Sequence, residues 1–307
     1  MNKIIEHQND QTILDKLSAQ SNLYKAAKRW KVLRLSLCVI LIVALAVVRV
    51  FNPDISWIGI ALTSLTFVSI IIGPVFDYLI AKRRNLAARI QQLLETELYG
   101  MEWNHHLLGS IPSYEDVYDH KSSKIPHRLH DWFKVGIGDI QDTNTAILLC
   151  QRDCLKYDSY LRRRYFQLCI IVAIVFSVCI IVCGAIRQSD WVAFITFSLI
   201  PMTPTARWLL SVIMDEKNDK KARESLESMV NQEMKNALSG RPVHKTIIIQ
   251  IQDLMFTHRN AGYLVPEWLY KLFRKRLEAR SAYSVNEFLE KYKEVQKRIQ
   301  PPCGGRV

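Results

Sequence analysis

Glycine is scarce in this chain, 11 in 307 residues, and no run of them forms a loop that cradles phosphate. Nucleotide-hydrolysing chemistry of that kind is therefore not expected. No nucleophile stands beside a base and an orienting acid either, so an enzyme is not expected. His105 and His106, beside Trp103 and Asn104, are the nearest approach to a catalytic pair and read better as a helix end or a domain surface. The first thirty residues are polar and include acidic groups, so no cleavable leader is expected there. Seven cysteines are present, but Cys38, Cys169, Cys179 and Cys183 fall in apolar runs. Cys150, Cys154 and Cys303 fall in stretches expected to face a reducing compartment, so disulfides are not expected to hold the fold. Carboxylates are outnumbered, 29 Asp and Glu against 41 Lys and Arg, for a net charge of +12.

What the chain does have is long apolar runs. Residues 168–186 are nineteen uncharged residues, LCIIVAIVFSVCIIVCGAI, and at ~1.5 Å per residue they cover roughly the ~30 Å hydrocarbon thickness of a bilayer. Residues 32–51 are apolar apart from Arg34 and Arg49 near the ends, where long side chains reach headgroups. Residues 55–80 carry a single charge, Asp77, close to one end. Residues 191–214 are interrupted by Pro201 and Pro204, with Arg207 near the last turn. The links within each pair, 52–54 and 187–190, allow only an immediate return. Two membrane hairpins are predicted.

The charge distribution sets their orientation. Lys25, Lys28, Arg29 and Lys31 precede the first run, and Lys82, Arg83, Arg84 and Arg89 follow the second. Arg162, Arg163 and Arg164 precede the third, and Lys217, Lys220, Lys221 and Arg223 follow the fourth. Basic residues collect on the cytoplasmic side of spans, so both termini and the central region should be cytoplasmic. The same placement accounts for most of the net charge without DNA as a partner, leaving room for a phosphate-bearing ligand. A hydrophobic share of 49% and a mean hydropathy of +0.02 fit an average of greasy spans and charged soluble parts.

The expected fold is all-α: a cytoplasmic amphipathic helix (1–31), a first hairpin (32–80), a central helical region (81–164), a second hairpin (165–214) and a C-terminal helical region (215–307). Leu23, Ala26, Ala27 and Trp30 form a helical stripe leading into the first span, and Leu86, Ile90, Leu93 and Leu94 form another after the second. Ala222, Leu226, Met229 and Val230 continue the fourth. Ser284 and Glu287 have the spacing of a capping box before Phe288, Tyr292, Val295 and Ile299. The run Thr246 to Ile251 fits a strand or a buried helix. The two halves resemble each other loosely, as a duplication or as any two hairpins would.

Cys150 and Cys154 lie four apart, with His127 and His130 upstream, but the spacings match no common zinc module and no metal is expected. Pro74, Asp77, Pro204 and Arg207 occupy comparable depths in the second and fourth spans. Asp77 and Arg207 either face a water-filled path or each other, or snorkel to the inner interface.

ETELYGMEWN at 95–104, DWF at 131–133, LLCQRDCLKYDSYLRR at 148–163, IQDLMFTHRN at 251–260 and VPEWLYKLFR at 265–274 follow one another in this order. Together with the hairpins, that pattern resembles the SMODS-associated four-transmembrane effectors of bacterial anti-phage systems. Asp153 and Tyr157 stand where the family often has Asn and Trp. The resemblance implies a multi-pass protein of the bacterial inner membrane whose cytoplasmic part binds a cyclic oligonucleotide and whose membrane part oligomerises and permeabilises the bilayer. It implies no resident cofactor. A polyanion with aromatic faces needs guanidinium groups and stacking surfaces. Under that resemblance Arg152, Arg162, Arg163, Arg164, Arg259 and Arg274, with Trp103, Trp132 and Trp268, are the candidate contacts, and Asp77, Arg207, Pro74 and Pro204 the candidate gating residues. A membrane-anchored scaffold, whose hairpins only tether the cytoplasmic helices, is the alternative. A transporter would need a midplane ionisable site, which no span shows.

Overall fold

A computed structural model describes residues 2–52, 55–187 and 203–299. Among the described residues every regular element is helical. A short α1 (Ile4–His7) precedes α2 (Gln11–Leu35), which passes through a π-helical turn (Ser36–Ile40) into α3 (Leu41–Phe51). The stripe through Leu23 and Ala27 therefore enters the first apolar run without a break in the helical backbone. α4 (Ser56–Tyr99) runs straight through Pro74. Short helices α5 (His105–Leu108) and α6 (Tyr114–Tyr118) follow, then two 3₁₀ turns, His127–Leu129 and Val135–Asp139. α7 (Thr143–Arg187), α8 (Thr203–Leu238), α9 (Lys245–Ala261) and α10 (Glu267–Ile299) complete the chain.

The apolar residues explain these lengths. α2 and α3 lie against α4 through Ala19 and Leu23 on Ala87 and Ile90, Ala27 on Phe76 and Ile80, and Ile42 on Ile58 and Leu62. The alanines are fully buried and let the helix axes approach closely. α4 stops where Gly100 takes a left-handed φ of 64°, with the Met101 N–H bonded back to the Thr96 carbonyl at 2.8 Å. At the other end of the molecule Leu148, Leu149, Ile248, Ile251, Val285 and Phe288 form a dry core shared by α7, α9 and α10. The N-terminal segment is sewn into it: Asn2 Nδ2 donates to the carbonyls of Ile137 and Ile140 at 2.9 and 2.7 Å, and Gln8 accepts from the Phe133 N–H.

Away from that core the surface changes character. Ile71 is 72% exposed and Ile171 58%, and both lie in continuous apolar faces. Exposed apolar surface of that extent needs a non-aqueous neighbour. Among the described residues one helix, Trp57–Tyr99, is long and apolar enough to cross a membrane, with a mean hydropathy of 2.1. α7 carries the 168–186 run to its end at Arg187. The turns at 53–54 and 188–190, the first part of the fourth apolar run with Pro201, and Cys303 lie outside the described residues.

Two local expectations resolve differently. Thr246 to Ile251 is helical, within α9, where Ile248 and Ile251 share one buried face. Ser284 and Glu287 do not start a helix, because α10 passes through them, and Ser284 instead bonds to Arg152 across to α7.

Candidate functional site

Tyr157, Tyr160 and Arg164 recur at helical spacing on one face of α7, and α10 packs antiparallel along it. Tyr157 meets Tyr270 with ring centroids 5.9 Å apart, and Tyr160 meets Phe273 edge-on at 5.7 Å. Two guanidinium groups approach the Tyr160 ring, Arg164 at 5.2 Å and Arg280 at 5.4 Å from the centroid, within cation–π range. Further along, Arg152 donates to Ser284 Oγ at 2.8 Å, and Asp153 accepts from Ser281 Oγ at 2.8 Å. Arg164 bonds to the Tyr160 hydroxyl and to Gln167. Among the described residues none of Arg152, Arg164 and Arg280 forms an ion pair. Burial, helped by the Arg280 charge and opposed by Asp153, pulls the Arg152 guanidinium below its ordinary pKa. The result is an arginine–tyrosine strip whose guanidinium groups, though Asp153 lies near Arg152, are not locked in ion pairs.

Arg162 and Arg259 are placed differently. Arg162 is buried and paired with Asp158 at 2.6 Å and Asp219 at 3.5 Å. Asp219 also accepts from Arg223 at 2.5 Å and lies 3.0 Å from His258 Nε2, and Arg223 reaches Glu216 at 3.0 Å. Burial opposes charge on both partners, yet the Coulombic pull of the carboxylates raises Arg162, and His258 with the arginines lowers Asp219. Arg259 pairs with Glu95 at 2.6 Å, where Gln252 and Gln92 complete a buried polar chain. Charges consumed in such pairs are not free for an anion, because withdrawing one leaves its partner buried and uncompensated.

The remaining sequence candidates are dispersed. Arg163 is exposed, and Arg274 is paired with Glu278. Trp103 bonds to the Gly109 carbonyl and packs beside Ala88, Leu108 and Phe256. Trp132 and Trp268 are exposed, and neither is among the rings that meet Tyr157 and Tyr160. Asp77 pairs with Arg34 of the neighbouring helix at 2.7 Å rather than with Arg207, which is exposed. Pro74 sits on an exposed face of α4, and the side chain of Pro204 lies outside the described residues. His105 and His106 are exposed on the short α5, and Cys150 is sealed in the core shared by α7, α9 and α10, with Cys154 beside it. Sequence reasoning missed Tyr160, Phe273 and Arg280. Their signal was the aromatic and basic repeat at three- and four-residue steps on two helices that had not been paired.

No solved structure matches this chain. A protein of Bacillus cereus (strain VD146), named a probable CBASS effector molecule, is 23% identical over 284 residues, covering 89% of this chain and 94% of that protein. The family model of the SMODS-associating 4TM effector domain matches residues 2–288, nearly the whole chain, and the chain belongs to that family.

Proposed function

We propose that this protein is a membrane effector of a bacterial anti-phage (CBASS) system, switched on by a cyclic oligonucleotide and acting by permeabilising the inner membrane. The observation that carries the reading is the uninterrupted helices. α4 and α7, of 44 and 45 residues, each extend ~65 Å at 1.5 Å per residue, so one rigid body includes both an apolar run and a segment of the charged bundle. A change at the cytoplasmic end is thereby delivered to the membrane end. All four apolar runs, 32–51, 55–80, 168–186 and 191–214, cross the bilayer in this reading, and both termini stay cytoplasmic. The stitching of residues 2–8 into the soluble core supports that side for the N-terminus.

The arginine–tyrosine strip is the ligand contact in this reading. Phosphodiester oxygens face Arg152, Arg164 and Arg280, and a base stacks on Tyr160 and Phe273. Four helices fill their own centre with side chains, so the conducting form is a homo-oligomer.

A voltage-sensitive dye in bacteria expressing the chain with and without an active cyclic-nucleotide synthase tests this. Depolarisation is expected only when both are present. The double substitution Arg152→Gln and Arg280→Gln removes two charge-assisted contacts and is expected to raise the nucleotide level needed by about tenfold or more. A potential that holds while the protein is in the membrane and the nucleotide is made supports a tethered scaffold instead.

A further inference from the structure

The loop between α9 and α10, residues 262–265, is buried although loops normally lie at the surface. Each long helix grips it. From α2, Lys31 Nζ donates to the Leu264 carbonyl at 2.7 Å. From α4, Arg84 donates to the Gly262 carbonyl at 2.8 Å, and Asn85 holds Asn260 just before it. From α7, Arg162 donates to the Tyr263 carbonyl at 2.9 Å and lies over the Tyr263 ring. From α8, Glu216 accepts the Tyr263 hydroxyl at 2.5 Å. The side chains divide the same way. Leu264 packs with Ala27, Phe76 and Ile80 of the first hairpin, while Tyr263 and Val265 pack with Leu161, Tyr165, Cys169 and Val212 of the second.

Gly262 shows how little room there is. A Cβ at this position would lie 2.7 Å from the His258 carbonyl oxygen and closer still to the Arg162 guanidinium. Its φ is an ordinary −66°, so glycine is required by space and not by backbone conformation.

We infer that this loop is a latch: seated between the feet of the two hairpins it fixes their relative arrangement in the resting protein, and its withdrawal is the step that frees them. The inference rests on the proposed membrane function for its consequence, though not for its geometry. Because α10 carries Phe273 and Arg280 of the strip and begins two residues past the latch, a pull on α10 acts directly on the loop. Buried carbonyls that lose their donors are costly, so release is cooperative across all four grips.

Tyr263→Phe removes only a hydroxyl and keeps the ring's packing, whereas Glu216→Gln keeps an acceptor for that hydroxyl but also weakens the pair with Arg223, which retains Asp219. Amide hydrogen exchange on each purified, detergent-solubilised variant reads the latch alone. Exchange at 262–266, and at the helix feet around 27–31 and 80–84, is expected to quicken about tenfold relative to the parent. Unchanged exchange in both variants overturns the latch. The voltage-dye assay then reads the function: depolarisation without the synthase is expected from the same variants. Quickened exchange with a steady potential upholds the latch and counts against permeabilisation, and the parent with its synthase is the control for that reading.

Discussion

Asp219 shows how a single side chain ties the neck of the molecule together, since it faces Arg162, Arg223 and His258 at once. Burial by itself would raise its carboxyl. The bond from His258 and the charges of Arg162 and Arg223 prevail, and hold it below the ordinary 3.8. Asp158 and Glu227 are depressed likewise. A carboxyl depressed in the folded state contributes stability that is complete above its unfolded pKa and drains as pH falls through the lower folded value. The thermal midpoint of the purified protein should therefore be insensitive to these groups between about pH 7 and 5 and fall below about pH 4. Asp219→Asn should flatten that acid limb, and an unchanged limb would show that the acid transition belongs to other carboxylates. Little of this was legible in the sequence. Arg162 reads as one of three consecutive arginines at a membrane boundary, and nothing local distinguishes it from Arg163, which is exposed, or Arg164, which stacks on Tyr160. The distinction comes from Asp219 and Tyr263, 57 and 101 positions away.

Helices, by contrast, were largely readable, because a 3.6-residue period repeats along the chain and needs no long-range partner to be seen. The stripes of α2, α4 and α8 bury most of what their spacing marks, Leu23 and Ala27, Ile90 and Leu94, Leu226 and Val230, although Ala222 of the last stripe is exposed. One pattern misled and another left the choice open, each for a physical reason. A Ser and a Glu three apart make a helix start only if the backbone before them is not helical, and in α10 it is. Consecutive isoleucines suit either a strand or a buried helix, and core partners on one side of α9 decide between them. Where a helix stops, glycine gives the position away. Gly100 ends α4 in a left-handed turn with open space around its Cα. Gly100→Ala should therefore cost about 1 kcal/mol from backbone strain alone, measured as a shift in the denaturation midpoint with no change in the response to the synthase. A larger loss would point to packing that the structure does not show.

Across the whole molecule, the two ends of the chain are held by different means. Asn2 bridges to carbonyls 135 and 138 positions away, closing the N-terminal segment over the 3₁₀ turn at Val135–Asp139. Asn2→Ala should leave both carbonyls short of a donor and lower stability by about 1–3 kcal/mol. A truncation that begins at residue 10 should lose more, since it also strips Ile4 and Gln8 from the core. Thermal unfolding followed by circular dichroism checks both, and an unaltered midpoint would mean the segment is only draped on the surface. The loop at 262–265 works in the opposite sense, reaching back from late in the chain to α2, α4, α7 and α8. A ribosome reads from the N-terminus, so every apolar run has been made before that loop emerges. The growing polypeptide thus passes through a stage with all four apolar runs made and the loop that bonds α2, α4, α7 and α8 not yet synthesised. Messages cut short near codon 260 would leave that stage permanent, with the apolar runs made and none of these four bonds to hold them.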